Sequence, residues 1–223
     1  MIQPFHCTET AAALPYQDGL ATQTTLEMIC AALEHMKEVS LAEGPNQSFR
    51  VSFFNSFITM ASEMNALGVL DENYYCGYCL CHLDLEPRNI LVRPPSPTHP
   101  QAITGILDWD SALFAPPFMS CSPPMWLWAW NDEDEEDERL ANDPPPTPEL
   151  RELKQLFEDA AGLTYSRYAY GAQYRLARRL ARFSIDGLRS NEDLIGAESL
   201  LQEWAEVRTS LRKNHCNHHR RPK

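Results

Sequence analysis

Between residues 74 and 110 the chain alternates short apolar runs with polar loops, and this stretch restricts the fold more than any other. The runs cover residues 74–80, 89–92 and 103–108, and all are short and partly β-branched or aromatic. That composition suits short strands better than helices. Residues 94–100 hold four prolines between the second and third runs. Proline has no N–H to give a ladder, so this segment is a loop, at the tip of a hairpin.

Helical periodicity brackets these runs. Leu26, Ile29, Leu33 and Met36 step by three and four and predict a helix from Thr25. Phe53, Phe57, Met60, Met64 and Leu67 predict a second from about Phe49, stopped by Gly68 as a C-cap. Downstream, Thr147, Pro148 and Glu149 read as N-cap, first helical position and first-turn acid, with Leu150, Leu153, Phe157 and Ala160 or Ala161 as the apolar face. A helix with one basic side is expected over about 167–183, and a last one opens at Ser190-Asn191-Glu192-Asp193 and runs to about Arg212. The expected fold class is therefore α+β and mostly helical. Residues 1–24 read as loop or poorly ordered, residues 25–213 as the body, and residues 214–223 as a basic tail. Residues 131–147 form an acidic and proline-rich insertion, because the seven consecutive acids at 132–138 repel one another and cannot pack.

Composition excludes several function classes. The formal net charge of −12 opposes binding to nucleic acid and to anionic membranes. No apolar run is long enough to cross a bilayer, and no basic patch leads into an apolar stretch as in a secretory signal. Seven cysteines, an odd number, in a chain without an export signal point to reduced thiols and a cytoplasmic setting.

The chemistry sits in His82-Leu83-Asp84-Leu85-Glu86-Pro87-Arg88-Asn89-Ile90-Leu91-Val92 and in Gly105-Ile106-Leu107-Asp108-Trp109-Asp110. Phosphoryl transfer needs a carboxylate to orient and deprotonate the acceptor hydroxyl, and oxygen ligands for Mg²⁺ to neutralise the phosphates. An Asp and an Asn five residues apart on a tight loop, Asp84 and Asn89, can face one cleft. Asp108, at the end of a short strand, can supply the charged metal ligand.

These two signatures, in this order and separated by an apolar strand, resemble the aminoglycoside phosphotransferase and choline kinase-like superfamily, whose fold is protein-kinase-like. The resemblance covers residues about 76–130, and the stretch at 123–128 resembles a fungal-type branch. It implies a kinase-like C-terminal lobe that uses ATP and Mg²⁺ to phosphorylate a hydroxyl of a small polar molecule, such as an aminoglycoside, choline, an amino acid or a sugar-like metabolite. It implies Asp84 as catalytic base, Asn89 and Asp108 as Mg²⁺ ligands, His82 as a brace of the loop, and Asp110 as a loop support or a contact to the acceptor. Trp109, Trp126, Trp128 and Trp130 are expected to pack under the acceptor side.

The chain departs from the family at Leu83, where glycine is frequent, and at Glu86, where many protein kinases carry lysine. Arg88 is read either as the replacement positive charge or as a solvent-facing side chain. No G-x-G-x-x-G loop and no strand lysine of the V-A-x-K kind precede the catalytic loop, so the N-terminal lobe is expected to be missing. The alternative is thus an inactive, truncated or pseudoenzyme C-lobe that serves as a binding scaffold. A minor alternative is a zinc-binding module built on Cys76, Cys79, Cys81 and His82 with the histidine-rich tail, opposed by a strand that turns neighbouring side chains apart.

Overall fold

The computed structural model describes residues 24–44, 47–70, 78–129 and 138–218, with side chains as far as residue 213. Among the described residues, five α-helices and four short strands give the mostly helical α+β architecture expected from the sequence. The chain forms two compact units, one of Gln3–Tyr75 with Gly171–Lys223 and one of Cys76–Tyr170.

The first unit is a helical cluster. Helix α1 (Thr25–Ala42) opens on a capping box in which Thr24 Oγ1 accepts from Glu27 N at 3.2 Å while Glu27 accepts from Thr24 N at 2.8 Å. Ile29 and Leu33 are fully buried; Leu26 and Met36, expected on the same stripe, are only half-buried. Helix α2 (Ser48–Ala66) ends in a Schellman motif. Gly68 takes φ +71°, its N–H reaches Asn65 O at 2.9 Å, and Val69 N reaches Met64 O at 2.9 Å. The buried face of α2 is Phe54, Phe57, Met60, Ala61 and Met64, so Phe54 takes the deep place expected for Phe53.

Helix α4 (Ala172–Asp186) and helix α5 (Asn191–His218) complete this unit. The boundary expected near 167 falls instead at Gly171, and α5 continues past Arg212. Ser190 and Asp193 cap each other at the start of α5, Ser190 N donating to Asp193 Oδ2 at 2.7 Å and Asp193 N to Ser190 Oγ at 3.1 Å. Phe57 stacks on Phe183 with centroids 5.3 Å apart, and Leu176, Leu180 and Leu200 close the core. At the rim, Glu203 accepts from Arg175 and Arg179, both at 2.6 Å, which ties α4 to α5.

The second unit holds two antiparallel ribbons and one helix. Strand β1 (Cys79–Cys81) pairs with β4 (Leu113–Ala115), and β2 (Ile90–Arg93) pairs with β3 (Ala102–Ile106). The β2–β3 register runs from Ile90 opposite Ile106 to Arg93 opposite Ala102, with a bulge between Leu91 and Val92. The proline-rich loop crosses the hairpin tip, where Ser96 N bonds His99 O at 2.8 Å. Helix α3 (Pro148–Tyr170) starts where Thr147, Pro148 and Glu149 placed it, with Thr147 Oγ1 accepting from Leu150 N at 3.3 Å. Gly162, at φ 82° and ψ 172°, breaks it into two segments. Its expected apolar stripe is only partly covered, since Leu153 and Ala160 are exposed. Leu150, Phe157 and Ala161 of that stripe are half-buried, with Phe157 between Trp128 (5.6 Å) and Tyr165 (5.4 Å), and Lys154 adds a bond from its Nζ to Ala141 O at 2.6 Å. The acidic run lies outside the described residues up to 137, as does Trp130.

Candidate active site

Strand β1 delivers the chain into a loop that folds back on itself. Leu83 takes φ 63°, a left-handed conformation that turns the backbone sharply after His82. Pro87 then presets the single 3₁₀ turn Pro87–Asn89, closed by Asn89 N to Glu86 O at 2.9 Å. The turn carries the buried Asn89 amide back over Asp84, where Nδ2 donates to Asp84 O at 2.8 Å and to Asp84 Oδ2 at 3.1 Å. The five-residue spacing of Asp84 and Asn89 therefore serves a closed loop in which one side chain orients the other.

The second signature is pinned to the first through Leu107. Its N–H donates to Asn89 O at 2.8 Å, and its carbonyl accepts from His82 Nε2 at 2.7 Å. Both peptide groups of the residue before Asp108 are thus held by the loop of residues 82–89. Asp108 itself takes φ 60°, which turns the chain out of the hairpin and leaves its carboxylate exposed. Trp109 donates through Nε1 to Ile106 O at 2.9 Å, and its ring lies 4.7 Å from His82. His82 is buried between these groups, with Nδ1 lacking a partner among the described residues. Asp110 is exposed beside this turn, with Ala112 N bonding Trp109 O at 3.0 Å.

Arg88 closes the loop from its other side. Nη2 lies 2.9 Å from Asp84 Oδ1 and 3.1 Å from Asp84 Oδ2, and Nη1 donates to Glu86. Arg88 stays largely exposed, as the solvent-facing reading expects, but its guanidinium is a partner of both acids rather than a free charge. Residue spacing alone gave no signal for this, because the contact exists only once the loop has folded back. Nor did the sequence mark β4, or Trp109 as an exposed cover for His82; Trp128, in contrast, is buried as expected of a packing residue.

The donor chemistry fits a hard cation. The Asn89 bonds to Asp84 use the amide nitrogen, and a hard cation takes the oxygen. Asp108 adds an exposed carboxylate. Among the described residues no three His, Cys, Asp or Glu side chains gather closely enough to hold a metal by themselves. A Mg²⁺ ion here would take one or two protein oxygens and complete its shell with phosphate and water, the usual arrangement for this ion. The same observation gives no support to a zinc cluster: Cys76 and the side chains of the tail lie outside the described residues, and His82 Nε2 is engaged by Leu107. Cys79 and Cys81, however, are not turned apart. Two residues apart on β1, they share a face, with Sγ atoms 3.7 Å from each other.

Residues 61–153 match a family model described as the phosphotransferase enzyme family. Comparison with curated proteins and with solved structures found no match. No helix among the described residues is long and apolar enough to cross a membrane.

Proposed function

We propose that this chain, whose residues 61–153 match the model of the phosphotransferase enzyme family, takes part in transferring the γ-phosphate of ATP to a hydroxyl of a small polar molecule. The observation that carries the reading is the interlock of the two signatures through Leu107 and Asn89. Two hydrogen bonds through Leu107 tie the turn that carries Asp84 and Asn89 to the turn that carries Asp108, which supports reading their oxygens as one site.

In this reading the acceptor oxygen attacks the γ-phosphorus, ADP leaves, and the hydroxyl proton passes to Asp84. Mg²⁺ would supply charge neutralisation on the phosphates, held by Asp108 and the Asn89 oxygen. Asn89 Nδ2 and Arg88 fix the direction in which the Asp84 carboxylate points. His82 works at a distance from the reacting atoms, by holding the peptide that precedes Asp108. Asp110, exposed on the same turn, contacts the acceptor or supports that turn. Residues 76–170 carry sixteen acidic against six basic side chains, which favours a cationic acceptor.

The test is ADP release with MgATP and a panel of hydroxyl compounds. At least one acceptor should stimulate turnover, and Asp84→Asn should reduce that turnover by about 10²-fold or more. Stimulation that survives Asp84→Asn unchanged would overturn the assignment of the base.

A second reading, a module that binds without transferring, draws on one observation: Arg88 already occupies both oxygens of Asp84. It predicts nucleotide binding with no acceptor-stimulated turnover, in the wild type and in Arg88→Ala alike.

A further inference from the structure

Strand β1 carries two thiols that the phosphotransfer reading does not use. Cys79 and Cys81 lie on one face of the strand with their sulfurs at 3.7 Å, in van der Waals contact and sharing a hydrogen bond. Ser120 Oγ stands 3.7 Å from the Cys79 sulfur. Cys81 is fully buried, with its sulfur also 3.5 Å from Cys79 O and 3.8 Å from Ala115 O. Cys79 is half-buried, which leaves it open to a small reagent. One sulfur is therefore reachable and the other is sheltered directly behind it.

We propose that Cys79 and Cys81 form a peroxide-reactive dithiol, with Cys79 the attacking sulfur and Cys81 the resolving one, that closes to a disulfide within β1. Attack of the Cys79 thiolate on hydrogen peroxide forms an S–O bond, breaks the O–O bond and releases hydroxide, leaving Cys79 as a sulfenic acid. Attack of the Cys81 sulfur then forms the S–S bond and breaks the S–O bond. The hydroxyl departs with the Cys81 proton as water. Two thiols and one peroxide thus give one disulfide and two waters.

Electrostatics and geometry favour this order of events. The hydrogen bond from Cys81 holds the Cys79 thiol down at about 6, against the opposing effect of burial and with help from Ser120. The same hydrogen bond, followed by burial, pushes Cys81 up, so the proton stays on the resolving partner. Cys30, by contrast, is pushed up by burial and by Glu34.

Closure has a structural consequence. Residues two apart on an extended strand have Cα atoms about 6.6–6.8 Å apart. A relaxed disulfide prefers about 5.5–6 Å and an S–S distance near 2.05 Å. Oxidation therefore bends β1 and pulls Cys79 and Cys81 away from their partners Ala115 and Leu113. Because β1 runs directly into His82, the bend reaches the loop that holds Leu107. A strained bridge of this kind is readily reduced, as a reversible modification requires.

The experiment is thiol mapping of the full chain after brief exposure to hydrogen peroxide, with alkylation under denaturing conditions and fragment mass spectrometry. The peptide holding Cys79 and Cys81 should become lighter by the two thiol hydrogens, with the bridge placed between them, in the wild type and in Cys76→Ser. In Cys81→Ser, Cys79 should instead be trapped as sulfenic acid by dimedone. Cys79 should react at least about tenfold faster than Cys30 at pH 7, with a rate half-maximal near pH 6. A bridge from Cys79 to Cys76, or equal reactivity of Cys79 and Cys30, would overturn the proposal. The readout is sulfur chemistry alone, so it stands or falls independently of phosphotransfer.

Discussion

Among the described residues, Leu83 and Asp108 are the two non-glycine residues with positive φ, at 63° and 60°, and they flank the interlocked loops. An aspartate tolerates this region, whereas for leucine the Cβ approaches the following carbonyl at a cost of about 1–2 kcal/mol. The departure from glycine at Leu83 was visible in the sequence; the backbone reason for it was not. Leu83→Gly should therefore raise stability, by about 0.5–1 kcal/mol once the greater freedom of glycine in the unfolded chain is counted. The midpoint of urea unfolding measures this, and a lower midpoint would mean that the half-exposed leucine side chain contributes more than its backbone costs. Asp84, Asn89, His82 and Asp108 could be singled out because their types and order suit phosphotransfer, and the structure brings their two loops together through Leu107. Arg88 was legible only as a charge, since its attachment to Asp84 depends on a loop shape that no periodicity encodes.

Elements whose ends are marked by specific residues were read well. Gly68 after α2, the Thr147-Pro148-Glu149 start of α3 and the Ser190–Asp193 start of α5 all act through local backbone bonds, and local bonds are written in local sequence. The break in α3 at Gly162 (φ 82°) and the short strand β4 were not read, and β4 is decided by its pairing with the distant β1. The link between α4 and α5 is likewise tertiary. Burial would raise the Glu203 carboxyl, but the hydrogen bonds and charges of Arg175 and Arg179 outweigh it and hold the group below its usual 4.5. A lowered carboxyl adds stability above the usual glutamate range and loses it as pH falls through the lowered value. Glu203→Gln should thus destabilise the chain by about 1–2 kcal/mol at pH 7. The gap from wild type should narrow below about pH 4.5. Urea titrations at both pH values check this, and a gap independent of pH would show that the carboxylate charge is not what links the helices.

For the whole molecule, the acidic excess is concentrated in the unit of Cys76–Tyr170, which also contains both signatures and most of the family match at residues 61–153. The mostly helical α+β class followed from counting periodic segments, whereas the division into two units, with the first drawing on both ends of the chain, did not, because periodicity says nothing about which helices meet. The central claim is that Asp108, set by the interlock with the catalytic loop, completes a site for a metal-bound nucleotide. Calorimetric titration of ATP into wild type and Asp108→Ala, with and without Mg²⁺, tests it most directly. The account predicts Mg²⁺-dependent binding by the wild type that Asp108→Ala loses. Binding that is indifferent to both Mg²⁺ and the substitution, or absent from the wild type, would contradict it.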